Sequence, residues 1–399
     1  MSRLLRPILT LDEVYGPDRT YAPRAHPRTC GWITRDAALL DALTGNQLCV
    51  AGSMPVVCSV GAVSPLAWEL IAEAGISRAS APLTYKSEKN AFDVACGAVA
   101  KGKLVVQHAY PTGVVDAASQ WVNPELLSRL NNKANLPDLV PAEHVPPRTV
   151  YARARVFGNG QAPRLPVVFK AATDDSTGGG AAVAVCRTVQ DVDEAAGRFE
   201  SCSRVVVEDY LPIARNVCLH FAVLPDGTSI YLGFADQDTT EGGRYRGNWI
   251  ELAASLPQHA IDVALDVVKR GAAMGYRGIV GIDIAILEGD EEGRRPQVLD
   301  LNFRVNGSTA AVLLAPAIGS AFGRGTLHLR TFIGQNGFES MIAAARGAVG
   351  RKQLIPLAAF DPRAAGYQDV PPRLVGLVRA GSRGDALGIE AEMALHGLS

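Results

Sequence analysis

Asp283, Asp300, Asn302 and Arg304 lie within residues 278–308, on two runs that read as adjoining strands. The first run, residues 279–287, is rich in β-branched side chains and carries Asp283 inside it. The second, residues 297–303, alternates, so Asp300, Asn302 and Arg304 share one face by the two-residue strand period. Leu299, Leu301 and Phe303 then face a core. Burying two carboxylates, an amide and a guanidinium together is costly unless something satisfies them. Hard divalent cations do so through oxygen ligands, and Mg²⁺ takes one or two carboxylates plus substrate phosphates. The chemistry indicated is metal-assisted phosphate chemistry. The acidic residues 288–296 make the two strands an antiparallel hairpin. With Asp283 opposite Asp300 or Asn302, the Cβ atoms would stand about 4.5–5.5 Å apart. A slip of one residue would turn Asp283 to the other face. The plain alternative is a surface ion pair of Asp300 with Arg304 on a half-exposed strand.

Three further segments carry candidate groups. Residues 165–170, LPVVFK, form a short apolar strand ending in Lys170, followed by a loop with glycines at 178–180 and a second β-favouring run at 181–186. Ser176, Thr177 and the N–H groups around Gly178 and Gly179 suit phosphate oxygens. This is not a Walker loop, which needs lysine after the glycines and then a helix. Nor is it the dinucleotide fingerprint, because GxGxxG is absent; a mobile turn is the plain reading. In residues 203–212, Val205, Val206 and Val207 make a buried strand that exits through Glu208, Asp209 and Pro212. Such a segment serves as a hinge whose backbone reaches an adenine edge, or as a strand end with a solvated acidic cap. Residues 234–250 combine Arg244, Arg246, Trp249 and three glycines between a strand at 229–233 and a helix near 258–274. That composition suits a mobile loop that clasps an anion, with Arg246 able to grip a carboxylate bidentately, or else a solvated insertion.

The elements that must position these groups belong to a mixed α/β chain of 399 residues, long enough for two or three cores. Lys plus Arg number 39 and Asp plus Glu 40, so no global charge steers the chain to nucleic acid or to an anionic membrane. Seven scattered cysteines without a CxxC argue against a disulfide framework and for a reducing, cytoplasmic setting. No apolar run reaches membrane-spanning length, and Pro7, Asp12 and Glu13 come too early for a signal peptide. Strands are expected at 47–51, 56–60 and 103–108, a helix at 65–74, and another begun by Asn123 and Pro124. The proline-rich residues 136–147 form a linker. Beyond 319, strands are expected at 328–335 and 373–379, with helices at 338–349 and 387–396; residues 380–384 read as a surface turn. His108, His220 and His328, on apolar strands, read as structural.

Taken in order, Lys170, the glycine loop, Glu208, Asp283 and the Asp300, Asn302, Arg304 set resemble the ATP-grasp superfamily of carboxylate–amine ligases, over residues 130–319. The resemblance implies an α/β (α+β) ATP-grasp fold with a pre-grasp α/β domain at 1–129, the grasp domain at 130–319 and a small C-terminal α/β domain at 320–399. It implies ATP rather than GTP, with Lys170 on the α- and β-phosphates and the glycine loop, Ser176 to Gly179, closing over the triphosphate. Glu208 would meet the adenine amino group, with the backbones of Asp209 and Leu211 at the ring edge. Lys133 stands where an earlier phosphate-contacting lysine is common. Asp283, Asp300 and Asn302 would hold Mg²⁺, two ions with Mn²⁺ an acceptable substitute, and Arg304 would face an acyl phosphate. Many members carry an acidic residue for the ribose hydroxyls; Asn216 stands there instead, an amide without charge assistance. The layout also resembles the pheganomycin-type peptide ligases, which implies a small peptide or amino-acid natural product and a homodimer. Two other functions fit the same residues: an aminoacyl loader onto a carrier-protein thiol, and a catalytically silent nucleotide-binding regulator.

Overall fold

The computed structural model describes residues 4–77, 82–158, 164–290 and 292–399; position 291 of the expected acidic connection lies outside them. Among the described residues the strands form three layers. The N-terminal layer holds short strands β1 (Arg19–Ala22), β2 (Val57–Ser59), β3 (Leu83–Tyr85) and β4 (Lys103–Val106). β1 pairs with β4 and β2 with β3, all in parallel, and a bridge from Tyr21 to Val56 joins the two pairs. The strand expected at 47–51 is instead the 3₁₀ turn Leu48–Val50. Its amides bond locally, Leu48 to the Gly45 carbonyl and Val50 to that of Gln47. A short apolar run does not distinguish a buried strand from a buried turn, because neither shows periodicity.

The second layer is antiparallel, with β5 (Arg148–Ala152), β6 (Val167–Ala171), β7 (Val183–Cys186) and β8 (Arg204–Asp209) in the order β5–β8–β6–β7. Helix Val189–Arg198 covers it, started by a capping box between Thr188 and Asp191. Phe169, Phe199 and Val205 fill its core.

The third layer is an eight-stranded antiparallel sheet. It contains β9 (Ile213–Val223), β10 (Ser229–Thr239), β11 (Tyr245–Glu251), β12 (Gly278–Leu287), β13 (Gln297–Asn302), β14 (Thr326–Ile333), β15 (Leu354–Phe360) and β16 (Arg373–Ala380). Their order is β13–β12–β9–β10–β11–β14–β16–β15, so residues 320–399 extend the sheet that carries Asp283. β15 was not expected, because Pro356 interrupts a uniformly apolar run. It lies at the sheet edge, with a register shift between Pro356 and Ala358, which is where a strand tolerates proline. The mobile loop expected at 234–250 is mostly ladder: β10 runs on to Thr239 and β11 begins at Tyr245. Only a tight turn remains, in which the Thr240 amide donates to the Arg244 carbonyl at 2.8 Å. Polar side chains disguised these strands, although pairing on both flanks stabilises them.

Strand alternation divides the sheet into two faces. Val217, Leu219, Val280 and Ile282 pack with Val263 and Val267 of helix Gln258–Ala273. Ala222 and Ile279, on the other face, pack with helix Thr309–Phe322 and the N-terminal layer. Phe303 locks the first face under the end of β13: it is fully buried, edge-on to Tyr276 at 5.0 Å. Helix Gln258–Ala273 approaches that ring through Gly271, where an added Cβ would stand 2.2 Å from Phe303 Cε1. With Tyr276 behind it, the ring has nowhere to retreat. Gly271→Ala is therefore expected to destabilise the fold by about 1–3 kcal/mol, read as a lower midpoint in chemical denaturation.

Candidate active site

The hairpin expected from the sequence forms, and its register places Asp283 opposite Asp300 and Gly281 opposite Asn302. Strict alternation breaks next to this pair. Ile284 faces Val298, which leaves Leu299 as the extra residue of a β-bulge. Val298 is consequently buried in the core, whereas Leu299 is only half-buried. The carbonyl of Leu299, on this edge strand, accepts from Lys170 Nζ at 2.9 Å.

Charges from both sheets of residues 130–304, and from a 3₁₀ turn beside them, meet here. Lys170, on β6, is buried and pairs with Glu208 Oε1, on β8, at 2.6 Å. Lys133 opens the 3₁₀ turn Lys133–Asp138 after helix Pro124–Asn131, and its ammonium bonds the Asp300 carboxylate. Arg148, at the start of β5, ties these pairs together: its Nη2 donates to the Lys133 carbonyl at 2.9 Å and stands 3.5 Å from Glu208 Oε2. Arg304 Nη2 donates to Asn302 Oδ1 at 2.7 Å and to the Thr177 carbonyl at 3.2 Å. The sequence reading missed Arg148. One arginine after a proline-rich stretch carries no spacing signal, and its role appears only when β5 pairs with β8.

Burial and the facing Asp300 push the Asp283 carboxyl up to about 6, against the pull of Cys218, Gln237 and Lys133. Burial also opposes ionisation of Asp300, yet Lys133, Lys170 and Arg304 hold its carboxyl below the ordinary range. Burial lowers Lys170, partly offset by Glu208, and burial likewise lowers Arg148 and Arg304. Asp283 Oδ1 is buried with no hydrogen-bond partner, while Asn302 Nδ2 reaches Oδ2 only at 3.4 Å. Two facing carboxylates, one with an orphaned oxygen, fit a hard cation such as Mg²⁺, which Asn302 would join by turning its amide oxygen from Arg304. Among the described residues no group of three or more His, Cys, Asp or Glu is placed to hold a metal ion, so a cation here would rest on two carboxylates and Asn302.

The other expected site residues are distributed as follows. The Ser176 and Gly178 amides donate to the carbonyls of Thr29 and Trp32, at 3.0 and 3.3 Å, and Gly179 turns the loop with a φ of +61°. The Asp209 amide donates to the Pro147 carbonyl at 2.9 Å, and Leu211 is half-buried between β8 and β9. Asn216, on β9, donates from Nδ2 to Gln237 Oε1 at 3.2 Å and leaves Oδ1 buried without a partner. Arg246 does not join the cluster. It sits in β11, paired with Asp238 at 2.6 Å. Asn216 and Gln237 share the face of Asp283, so Asp238, the next residue, points to the opposite side. His220 bonds Asn306 at 3.0 Å, and His328 bonds Glu390 while stacking on Trp249, though His220 Nδ1 and His328 Nε2 are buried without hydrogen-bond partners. His108 differs: it is buried just past β4, and burial with the nearby Arg304 charge keeps it well below the usual imidazole range.

Two sequence families match consecutive parts of the chain. Residues 10–128 match the family described as the L-aspartate–L-methionine ligase N-terminal domain, and residues 146–302 match the ATP-grasp domain of L-aspartate–L-methionine ligase. Among solved structures, an ADP complex of N5-carboxyaminoimidazole ribonucleotide synthetase is similar at a TM-score of 0.58 and 12% identity, over 99% of this chain and 98% of that one. An L-amino acid ligase from Bacillus licheniformis is similar at 0.53 and 12%, over 87% and 91%. A biotin carboxylase from Campylobacter jejuni in complex with a β-γ-ATP ligand is similar at 0.53 and 14%, over 96% and 91%. At these identities the structural likeness establishes the fold. No helix among the described residues is long and apolar enough to cross a membrane.

Two facing carboxylates carry a cost in the absence of a cation, and removing one should relieve it. Asp283→Asn is expected to raise stability in divalent-free buffer by on the order of 1 kcal/mol above pH 6. A carboxyl raised from 3.8 to about 6 binds its proton more tightly in the folded state, so the gain is full above the raised value and fades as pH falls toward 3.8. Adding Mg²⁺ should raise the melting temperature of the parent protein and not of the variant.

Proposed function

Since the chain belongs to the ATP-grasp superfamily and is an ATP-dependent carboxylate–amine ligase, we propose that it joins L-aspartate to L-methionine. The aspartate carboxylate takes the γ-phosphoryl group of ATP, and the methionine amine then attacks the acyl phosphate. The match of both the N-terminal and the grasp regions to one ligase family carries this choice of substrates. In this reading residues 130–319 handle nucleotide and metal, and residues 1–129 and 320–399 shape the amino-acid sites. A dipeptide product agrees with an amide-forming role, and the free amino group of methionine makes a carrier thiol unnecessary.

The residues divide the work by position. Lys170 and Lys133 exchange Glu208 and Asp300 for phosphate oxygens when nucleotide enters, which keeps each charge paired. Glu208, released from Lys170, turns toward the adenine amino group, and the backbone of Asp209 and Leu211 lines the ring. Asn216 offers its unpaired Oδ1 to a ribose hydroxyl. Ser176, Thr177, Gly178 and Gly179 cover the triphosphate. Asp283, Asp300 and Asn302 would hold Mg²⁺, which when bound neutralises phosphate charge. Arg304, fixed in plane by Asn302 and Thr177, stabilises the charge that develops as the phosphoryl group moves and as phosphate later departs.

Phosphate release from Mg·ATP with aspartate and methionine, singly and together, tests the assignment, with mass spectrometry of the products. Release that needs both, with a dehydrated Asp–Met conjugate, is expected; a different obligatory pair would overturn the choice of substrates. Arg304→Ala and Asp300→Ala should lower kcat by about 10²-fold or more while melting cooperatively. Near-parental turnover in either would remove that residue from the site. Lys170→Ala should chiefly weaken nucleotide binding, measured by titration calorimetry, and unchanged affinity would overturn its assignment.

A further inference from the structure

Trp32 belongs by sequence to the N-terminal layer, yet its side chain lies in the core of the four-stranded layer. It is buried, and its ring centroid stands 5.5 Å from that of Phe199. Every other buried member of that core lies within residues 167–205. The backbone around Trp32 reaches the same layer. Trp32 makes a parallel bridge with Thr177, the Ser176 amide donates to the Thr29 carbonyl, and the Gly178 amide donates to the Trp32 carbonyl. The other end of this strap stays in its own layer, where Cys30 is buried with Ala25 and Leu40, and Ile33 packs against them. On its far side the glycine loop is tied to Arg304 through the Thr177 carbonyl. The loop is therefore stitched between a strap from one layer and the arginine of another.

We propose that Trp32 is a positioning residue that holds the glycine loop closed over the crevice and so keeps water away from the acyl phosphate. The proposal rests on the ligase reading above. An indole inside the core of the four-stranded layer ties the strap to that layer, and the carbonyls of Thr29 and Trp32 set where the loop rests. If the loop lifts, water attacks the acyl carbon in place of the amine. The carbon–oxygen bond to phosphorus then breaks, phosphate leaves with the electron pair, and the free acid is regenerated. ATP is spent without peptide. A residue that served only to stabilise the fold would lower peptide and phosphate release together, whereas a loop-positioning residue changes their ratio.

Phosphate and dipeptide are measured in one reaction for the parent, Trp32→Ala and Trp32→Phe. For Trp32→Ala, kcat for peptide should fall about tenfold, with phosphate released per peptide rising several-fold. Trp32→Phe, which keeps an aromatic ring beside Phe199, should restore most of the parental ratio. A parental ratio in Trp32→Ala overturns the proposal. Should that variant fail to fold, Trp32→Leu, which keeps the core filled, stands under the same criterion. Hydrogen exchange separates this idea from the choice of substrates, because it needs no turnover. In the parent protein, a non-hydrolysable ATP analogue with Mg²⁺ should protect the amides of 29–33 and of 176–178 together. Protection of the loop alone, or equal loop protection in Trp32→Ala, would overturn the strap even if a different acid and amine proved to be the substrates.

Discussion

The ion pair of Lys170 with Glu208, both closed off from solvent, is the interaction on which the site depends. A buried ammonium without a partner is too costly to keep, so Lys170 needs the Glu208 carboxylate to hold it. Lys133 and Asp300 repeat the arrangement on the other side of the crevice. Arg148 connects the pairs by reaching both the Lys133 carbonyl and Glu208. The cations Lys133, Arg148, Lys170 and Arg304 outnumber the carboxylates Asp283, Asp300 and Glu208, and Asp283 is the carboxyl pushed toward its neutral form. The crevice is accordingly poised for a polyanion that brings its own cation.

Geometry follows from one local irregularity. The bulge at Leu299 lets β13 place Asp300 opposite Asp283 while Val298 stays in the core, and the Leu299 carbonyl steadies Lys170. Phe303 then anchors the strand from behind, against Gly271 and Tyr276, so the polar face of β13 keeps a fixed depth. Rigid backing of this kind is what lets a charged site persist at the meeting of separate layers.

Local periodicity made part of this legible. The run through Asp300 and Asn302, the run around Asp283, and the strand ending near Lys170 all read correctly as strands, whereas Arg304 lies just past the end of β13. The register did not, because a two-residue period fits several pairings and nothing in the residue types announces a bulge. Residues 234–250 misled because the acidic and basic side chains of β10 and β11 imitate a solvated loop. In the fold Asp238 is compensated by Arg246, and Asp236 by Arg215 and Arg383. Arg246 was thereby drawn into the site on composition, although alternation puts its partner on the opposite face. Arg148 and Trp32 were invisible for a different reason. Each acts far from its own segment, on groups that only tertiary structure brings near.

The same distance effect separates chemistry from substrate choice. The phosphate end of the crevice is assembled from strands and a hairpin, whose spacings leave marks in sequence. Single residues of the N-terminal layer and of the segment after β13 also meet near Arg304. Tyr21 donates to Gln107 at 3.2 Å, His108 lies close enough to feel Arg304, and Gln47 donates to the Asn306 carbonyl at 3.2 Å. The residues concerned are spread from position 21 to 306, with no period to connect them. A reaction type can therefore be read from short motifs, whereas groups spread this widely in sequence leave no comparable mark.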